Sequence, residues 1–276
     1  MKSPDLLRIA VAGLMLSAVP ALAKTAVDLE LALAIDVSGS IDDEEANLQR
    51  ARYIAAFQNP RVIEAIRNGI LGRIAVAYYE WAGYGHNKII ADWTVIHDRP
   101  SALAFADSLR EPLPETARRT AIGQAIAFGV PLFDRNDIEG TRRVIDISGD
   151  GPNNRGQRST VSRDLAVAAG VTINGLPIVN DRPSRWGWPS IPNLDLYYRD
   201  CVIGGPGWFL VAANTFEDFS SAVLKKLIME IAGTTPLKRV TYVGLRRKPL
   251  LRTATNERVA PPCDIGESRW RGREDF

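Results

Sequence analysis

The sequence is poor in the side chains on which most zinc, iron–sulfur and nucleophilic sites depend. It has two cysteines and two histidines among 276 residues, too few for a zinc finger or an iron–sulfur cluster held by those side chains. Gly-x-Ser-x-Gly, Walker and His-Glu-x-x-His motifs are also missing, which removes the commonest signatures of hydrolases and nucleotide-binding proteins. A metal ion bound by this chain would therefore be held mainly by oxygen atoms.

The charge is close to balanced, with 34 Lys and Arg against 32 Asp and Glu. This balance argues against a dedicated nucleic-acid-binding protein, which needs a clustered excess of positive charge. The hydrophobic content of 46% is typical of a globular protein that buries its own core. Residues 236–276 are nevertheless basic, and we expect a partly disordered extension there, either solvated or bound to anionic lipid or a partner.

Only one long hydrophobic run is present, and it lies at the beginning. Residues 9–23 follow Lys2 and Arg8 and end in Ala21-Leu22-Ala23, the pattern of a secretory signal peptide cleaved after Ala23. The run has about 15 residues, fewer than the ~20 of a spanning helix, so a signal peptide is favoured over a membrane anchor. We expect a periplasmic or secreted protein without a transmembrane segment.

Export also affects the interpretation of the two cysteines. In an oxidising compartment, Cys201 and Cys263 could form a disulfide. Two free thiols are the alternative, because the sequence does not give their geometry.

Hydrophobic patterning alternates between the periods of strands and helices. This alternation predicts a Rossmann-like, doubly wound α/β domain over residues 24–235, with a mostly parallel sheet, one antiparallel edge strand and helices on both faces. An insertion rich in Pro, Gly and aromatic residues, 180–207, interrupts it and includes Trp186 and Trp188, which could anchor a partner or cover the core. The predicted strands are 27–36, 72–81, 88–96, 142–148, 171–179 and 208–213, and the predicted helices are 44–57, 59–69, 101–110, 121–133, 162–169 and 216–231.

Polar residues follow several of these strands, where function collects in parallel sheets. The first strand ends in an Asp-x-Ser-x-Ser motif, Thr120 precedes a helix, and an Asp-Gly pair follows the fourth strand. Two carboxylates and three hydroxyls without His or Cys suit a hard ion such as Mg²⁺. The candidate ligands are Asp36, Ser38, Ser40, Thr120 and Asp150.

Each of these segments also has an ordinary structural explanation. Ser40 and Thr120 could be helix N-caps, and Asp150-Gly151-Pro152 could be a simple turn. The acidic run 42–45 is better explained by favourable interaction with a helix dipole than by metal binding. Trp81 could line the rim of the site or contact the core.

In combination and in this order, the three segments resemble the von Willebrand factor type A (vWA) domain. The signal peptide, the Trp-rich insertion and the close strand pair look most like a subgroup of bacterial exported proteins, DUF1194. The resemblance implies that Asp36, Ser38, Ser40, Thr120 and Asp150 hold a metal ion, directly or through water, in a metal-ion-dependent adhesion site (MIDAS). One departure is Gly149, since members of the wider vWA family usually have Thr before this Asp.

The resemblance implies an interaction module without enzymatic activity. An Mg²⁺ or Mn²⁺ ion would offer an open position to an acidic group of a protein partner. A Mg²⁺-dependent hydrolase of phosphate or another anion is the rival hypothesis. A scaffold with an empty, degenerate site is a third.

Overall fold

A seven-stranded sheet forms the centre of the fold in the computed structural model, which describes residues 23–39, 43–179, 190–233, 239–244 and 258–271. The strands are β1 (Thr25–Val27), β2 (Glu30–Asp36), β3 (Ile74–Trp81), β4 (Asn87–Ile96), β5 (Ile138–Gly140), β6 (Arg143–Gly149), β7 (Val171–Pro177), β8 (Leu210–Ala213) and β9 (Val240–Val243). The helices are α1 (Asp43–Phe57), α2 (Pro60–Arg67), α3 (Arg99–Ser108), α4 (Ile122–Gly129), α5 (Ser159–Ala168), α6 (Leu194–Tyr197), α7 (Phe216–Ala232) and α8 (Ile265–Arg271).

The strand order of the main sheet is β4-β3-β2-β6-β7-β8-β9. Strand β4 pairs antiparallel with β3, and the other neighbours pair parallel. The predicted doubly wound sheet with one antiparallel edge strand is confirmed. Strands β1 and β5 form a separate two-stranded parallel sheet.

The interior strand β2, which lies between β3 and β6, has no exposed residue, as expected for a strand covered by helices on both faces. Its odd-numbered side chains, including Leu31 and Leu33, pack in a core that also contains residues of α1, α2, α3 and α7. Ala32 and Ala34 pack in a second core with residues of α4, α5 and α6. The end of β2 therefore lies between two well-packed layers.

The structure divides or shortens several predicted elements. The predicted strand 27–36 is interrupted at Asp28 and Leu29, where the Asp28 carboxylate accepts a hydrogen bond of 3.0 Å from the Leu71 N–H. The predicted helix 121–133 becomes a 3₁₀ turn at Val130–Asp134, where Pro131 has no N–H to donate. Strand β9 lies in the segment predicted to be a C-terminal extension, so that part of the chain belongs to the sheet.

The predicted signal peptide lies outside the described residues, except for Ala23. Within the described ranges, none of the helices combines the length and the apolar character needed to cross a membrane.

Candidate metal centre

The turn after β2 presents a carboxylate and a hydroxyl of the Asp-x-Ser-x-Ser motif. Asp36, the last residue of the strand, is fully buried, and its Oδ1 accepts a hydrogen bond of 2.7 Å from the Ser38 N–H. Between them, Val37 extends the sheet pairing, because its N–H donates a hydrogen bond to the carbonyl of Trp81. The backbone at Asp36 and Ser38 is therefore held rigidly. Ser40, the third residue of the motif, lies outside the described part of the chain.

Thr120 lies directly beside this turn. Its hydroxyl donates a 3.3 Å hydrogen bond to the Ser38 Oγ. The alternative role of Thr120 as a helix N-cap does not apply, because α4 is capped by Ala121 without any side-chain hydrogen bond. The hydroxyls of Ser38 and Thr120 thus meet next to the buried carboxylate of Asp36.

Asp150 follows β6, whose residues pair with those of β2 up to Ile35. Burial, in the first place, and the nearby charge of Asp150 raise the pKa of Asp36 well above its ordinary value of 3.8. Two carboxylates close enough to affect each other's ionisation favour a positive charge between or beside them. The structure therefore brings Asp36, Ser38, Thr120 and Asp150 to one region at the carboxyl ends of β2 and β6.

The second carboxylate oxygen of Asp36 has no hydrogen-bond partner among the residues that the structure describes. Asp36 Oδ2 is buried and makes no hydrogen bond with any described residue. Leaving a buried carboxylate oxygen without a donor is costly, and an ion or water is the usual explanation. The orphaned oxygen, the two hydroxyls and the second carboxylate fit a hard divalent cation.

The donor set contains few anionic groups. Among the described residues, no three His, Cys, Asp or Glu side chains are grouped so that they could hold a metal ion. A cation at the end of β2 would consequently depend on hydroxyl oxygens and water in addition to two carboxylates, as the composition predicted.

Gly149 provides space that a larger residue would fill. A Cβ atom on Gly149 would lie 2.7 Å from Asp36 Oδ2 and 2.7 Å from the hydroxyl oxygen of Tyr198. Sequence analysis missed Tyr198, which lies in the insertion 180–207 and is fully buried. Burial, followed by the charges of Asp36 and Asp150, raises the pKa of Tyr198 well above 10, so its phenol keeps its proton at neutral pH. The only signal in the sequence was the unusual glycine at position 149.

Gly149→Ala should destabilise the protein, while the same substitution at Gly151, two residues further along, should be tolerated. The added methyl would meet two oxygen atoms at 2.7 Å, and overpacking of this kind costs typically about 1–3 kcal/mol. In Gly151→Ala the nearest atom to the added methyl would be Thr120 Oγ1 at 3.9 Å, an ordinary van der Waals distance. Urea denaturation should therefore show a lower free energy of unfolding for Gly149→Ala alone. Equal losses in the two variants would contradict the view that only position 149 lacks room for a Cβ atom.

Two consecutive asparagines hold the loop after Asp150, and these were also missed. Asn154 Oδ1 accepts from the Thr120 N–H at 2.9 Å, and the Asn154 N–H donates to the Thr120 carbonyl at 2.8 Å. Asn153 is fully buried and its Oδ1 accepts from the Gly123 N–H at 3.0 Å. The sequence predicts only a turn here, whereas in the structure the hydrogen bonds of Asn154 hold the backbone of Thr120 in place.

The C-terminal segment is attached to the same loop. A disulfide joins Cys201 to Cys263 with a Cα–Cα distance of 5.3 Å, which decides between the two alternatives that the sequence left open. Beyond it, Glu267 of α8 accepts a 2.8 Å hydrogen bond from the Asn153 Nδ2. The disulfide thus fastens a distant part of the chain against the loop that holds Thr120.

The remaining candidates have simpler roles. Three residues of the acidic run, Asp43, Glu44 and Glu45, lie in the first turn of α1, where they complement its dipole. Trp81 is fully buried and belongs to the core on the α4 face. Trp186 and Trp188 lie outside the described residues.

The fold is that of the vWA domain. Solved structures with this similarity include BatB from Bacteroides thetaiotaomicron (TM-score 0.50, 19% identity, 75% of this chain and 100% of that one). A von Willebrand factor type A protein from Catenulispora acidiphila is similar at a TM-score of 0.51 and 13% identity. That match covers 75% of this chain and 43% of the Catenulispora protein. Proximal thread matrix protein 1 from the mussel byssus, described with a zinc-occupied MIDAS motif, is similar at a TM-score of 0.51 and 15% identity. That match covers 76% of this chain and 47% of the mussel protein.

Residues 26–235 match the family DUF1194, which is described as a protein of unknown function. The match covers more than half of the sequence, so the chain belongs to this family. A search of the curated proteins found no match.

Proposed function

We propose that this protein is an exported interaction module that binds a divalent cation, Mg²⁺ or Mn²⁺, at a MIDAS-type site. The proposed ligands, direct or through water, are Asp36, Ser38, Ser40, Thr120 and Asp150. When bound, the cation would supply a coordination position that an acidic group of a protein partner can occupy. No nucleic acid is expected among the partners, given the near-neutral charge.

The observation that carries the proposal is the buried Oδ2 of Asp36, which accepts no hydrogen bond from the part of the chain that the structure describes. Around it lie the Asp150 carboxylate and the hydrogen-bonded pair of hydroxyls from Ser38 and Thr120. The hydroxyl ligands are neutral, so they would leave the cation with enough positive charge to attract an external carboxylate. The zinc-occupied MIDAS of the mussel byssus protein supports a divalent metal as the occupant.

Two further observations support export. The basic start and the hydrophobic run 9–23 fit a signal peptide cleaved after Ala23. The disulfide between Cys201 and Cys263 is of the kind that persists in oxidising compartments. We therefore propose that the mature chain begins at Lys24 and functions in the periplasm or outside the cell.

Thermal melts of the purified protein test the cation. An ion that binds only the folded state at 100 times its Kd adds about 2.7 kcal/mol to the free energy of unfolding. For a domain of this size, the melting temperature should rise by roughly 5–10 °C with Mg²⁺ or Mn²⁺ and fall back in EDTA. NaCl at matched ionic strength is the control. Identical melts in millimolar cation and in EDTA would contradict the proposal and support an empty, degenerate site.

A pull-down from the exporting cell, with Mg²⁺ and with EDTA, tests the partner. A protein retained only with the cation, and released by changing one of its surface carboxylates, is the expected result. Mg²⁺-dependent release of phosphate from a panel of phosphate esters would instead favour the rival hydrolase.

A further inference from the structure

The insertion between β7 and β8 places a buried hydroxyl at the proposed metal centre. Tyr198 begins a π turn after α6, and its side chain is fully buried. Its hydroxyl makes no hydrogen bond with any described residue, the same condition as Asp36 Oδ2. Each of these oxygens lies 2.7 Å from the point where a Cβ of Gly149 would stand, so they are at most twice that distance apart.

The ring of Tyr198 is packed closely in the core. It passes over Gly175 of β7, where a Cβ would lie 3.1 Å from its Cδ1 atom, and it contacts the ring of Tyr197 edge-on at 6.3 Å between centroids. Glycines at positions 149 and 175 therefore leave room for both ends of this side chain. Because the ring is confined in this way, its hydroxyl cannot easily turn towards another partner.

Two buried oxygens that lie so close together, each without a hydrogen-bond partner in the described part of the chain, point to a polar species that both contact. An unpaired buried hydroxyl loses its hydrogen bonds to water. What distinguishes Tyr198 from other buried tyrosines, such as Tyr53, is that its hydroxyl lies close to a carboxylate oxygen that also lacks a partner among the described residues. The hydroxyl and the carboxylate can both be satisfied by a cation or by the water molecules that Mg²⁺ retains.

We propose that Tyr198 is a positioning residue of the metal centre, its phenol hydroxyl and Asp36 Oδ2 together holding the hydrated divalent cation. The space for this hydroxyl exists because residue 149 is a glycine. The inference rests on the proposed cation site and adds to it a residue contributed by the insertion.

Tyr198→Phe removes only the oxygen and is the direct test. Loss of a group that supports metal ligands typically weakens metal affinity by about 10–100-fold. Titration calorimetry with Mn²⁺ should show a loss in this range, while the melting temperature in EDTA stays equal to that of the wild type or rises. A lower melting temperature in EDTA with an unchanged Kd for Mn²⁺ would show a purely structural role and overturn the inference.

Tyr53→Phe is the matched control. Tyr53 is also fully buried and its hydroxyl also has no partner among the described residues, but it belongs to the core on the opposite face of the sheet. Its Kd for Mn²⁺ should equal that of the wild type. If the wild type binds Mn²⁺ and Tyr198→Phe binds equally well, this inference fails while the cation site stands. If the wild type binds no Mn²⁺, both fail.

Discussion

Asp36→Asn should abolish the rise in melting temperature that Mg²⁺ gives the wild type, while leaving the protein at least as stable in EDTA. The amide retains an oxygen that can accept the hydrogen bond from the Ser38 N–H. The substitution removes a buried carboxyl group whose pKa is raised by burial and by the charge of Asp150. The metal-free protein therefore no longer carries an unfavourable buried carboxylate. With the charge gone, the cation loses one of its two nearby anionic groups.

The experiment is specific because Asp36→Asn is expected to lose stability relative to the wild type in Mg²⁺ but not in EDTA. A variant that simply misfolds would melt lower in both buffers, whereas loss of the site lowers stability relative to wild type only in Mg²⁺. The expected loss is the whole ligand contribution, about 2.7 kcal/mol at 100 times the wild-type Kd. Asp137→Asn, a change at an exposed aspartate, should respond to Mg²⁺ like the wild type. A normal Mg²⁺ response in Asp36→Asn would remove Asp36 from the site.

The part of the site that could be predicted is the part that follows from local pattern and sheet topology. The hydrophobic run before Asp36 predicts a buried strand, and parallel strands bring their carboxyl ends to one edge. Asp36 and Asp150, which follow two such strands, are therefore expected near each other from the sequence alone. Thr120 taken alone fits a metal ligand and a helix N-cap equally, because a Thr before a helix has the same sequence pattern in both roles.

The parts that could not be predicted depend on tertiary packing across large sequence distances. Tyr198 lies in an insertion without strand or helix periodicity, so nothing in the sequence assigns its hydroxyl to the end of β2. Asn153 and Asn154 have the appearance of turn residues, and their partners are known only once the loop is folded against α4. Strand β9 is four residues long and lies in a basic segment, which hides its pairing with β8.

Lys226→Met should be among the most destabilising substitutions in the chain. Lys226 lies in α7, is fully buried, and its Nζ is 2.7 Å from Asp146 Oδ2 and 2.6 Å from Glu230 Oε1. It also lies over the ring of Phe209, 5.0 Å from the centroid. Removing the cation leaves two buried carboxylates facing each other, and breaking a buried pair in this way costs roughly 3–5 kcal/mol. Sequence pattern could not distinguish this lysine from an exposed one on the same helix.

Lys225→Met is the matched control, because the preceding lysine is exposed. Its free energy of unfolding, measured by urea denaturation, should stay within about 0.5 kcal/mol of the wild type. Adding Asp146→Asn and Glu230→Gln to Lys226→Met should restore much of the loss, since no unpaired charge then remains buried. Equal stability of Lys225→Met and Lys226→Met would show that the buried ion cluster contributes nothing.

The pH dependence of the Lys226→Met deficit provides an independent test. In the wild type, burial raises the pKa of Asp146 to about 6, although nearby Lys226 opposes the rise. The folded state therefore binds this proton more tightly than the unfolded chain, and the stability from Asp146 is present below its ordinary pKa of 3.8 and lost as the pH rises towards about 6. Without Lys226, the neutral form of the carboxyl should be favoured further, so the deficit of Lys226→Met should be largest above about pH 6 and shrink in acid. A deficit that is constant between about pH 4.5 and 7.5 would mean that lost packing around the lysine stem, rather than unpaired charge, is responsible.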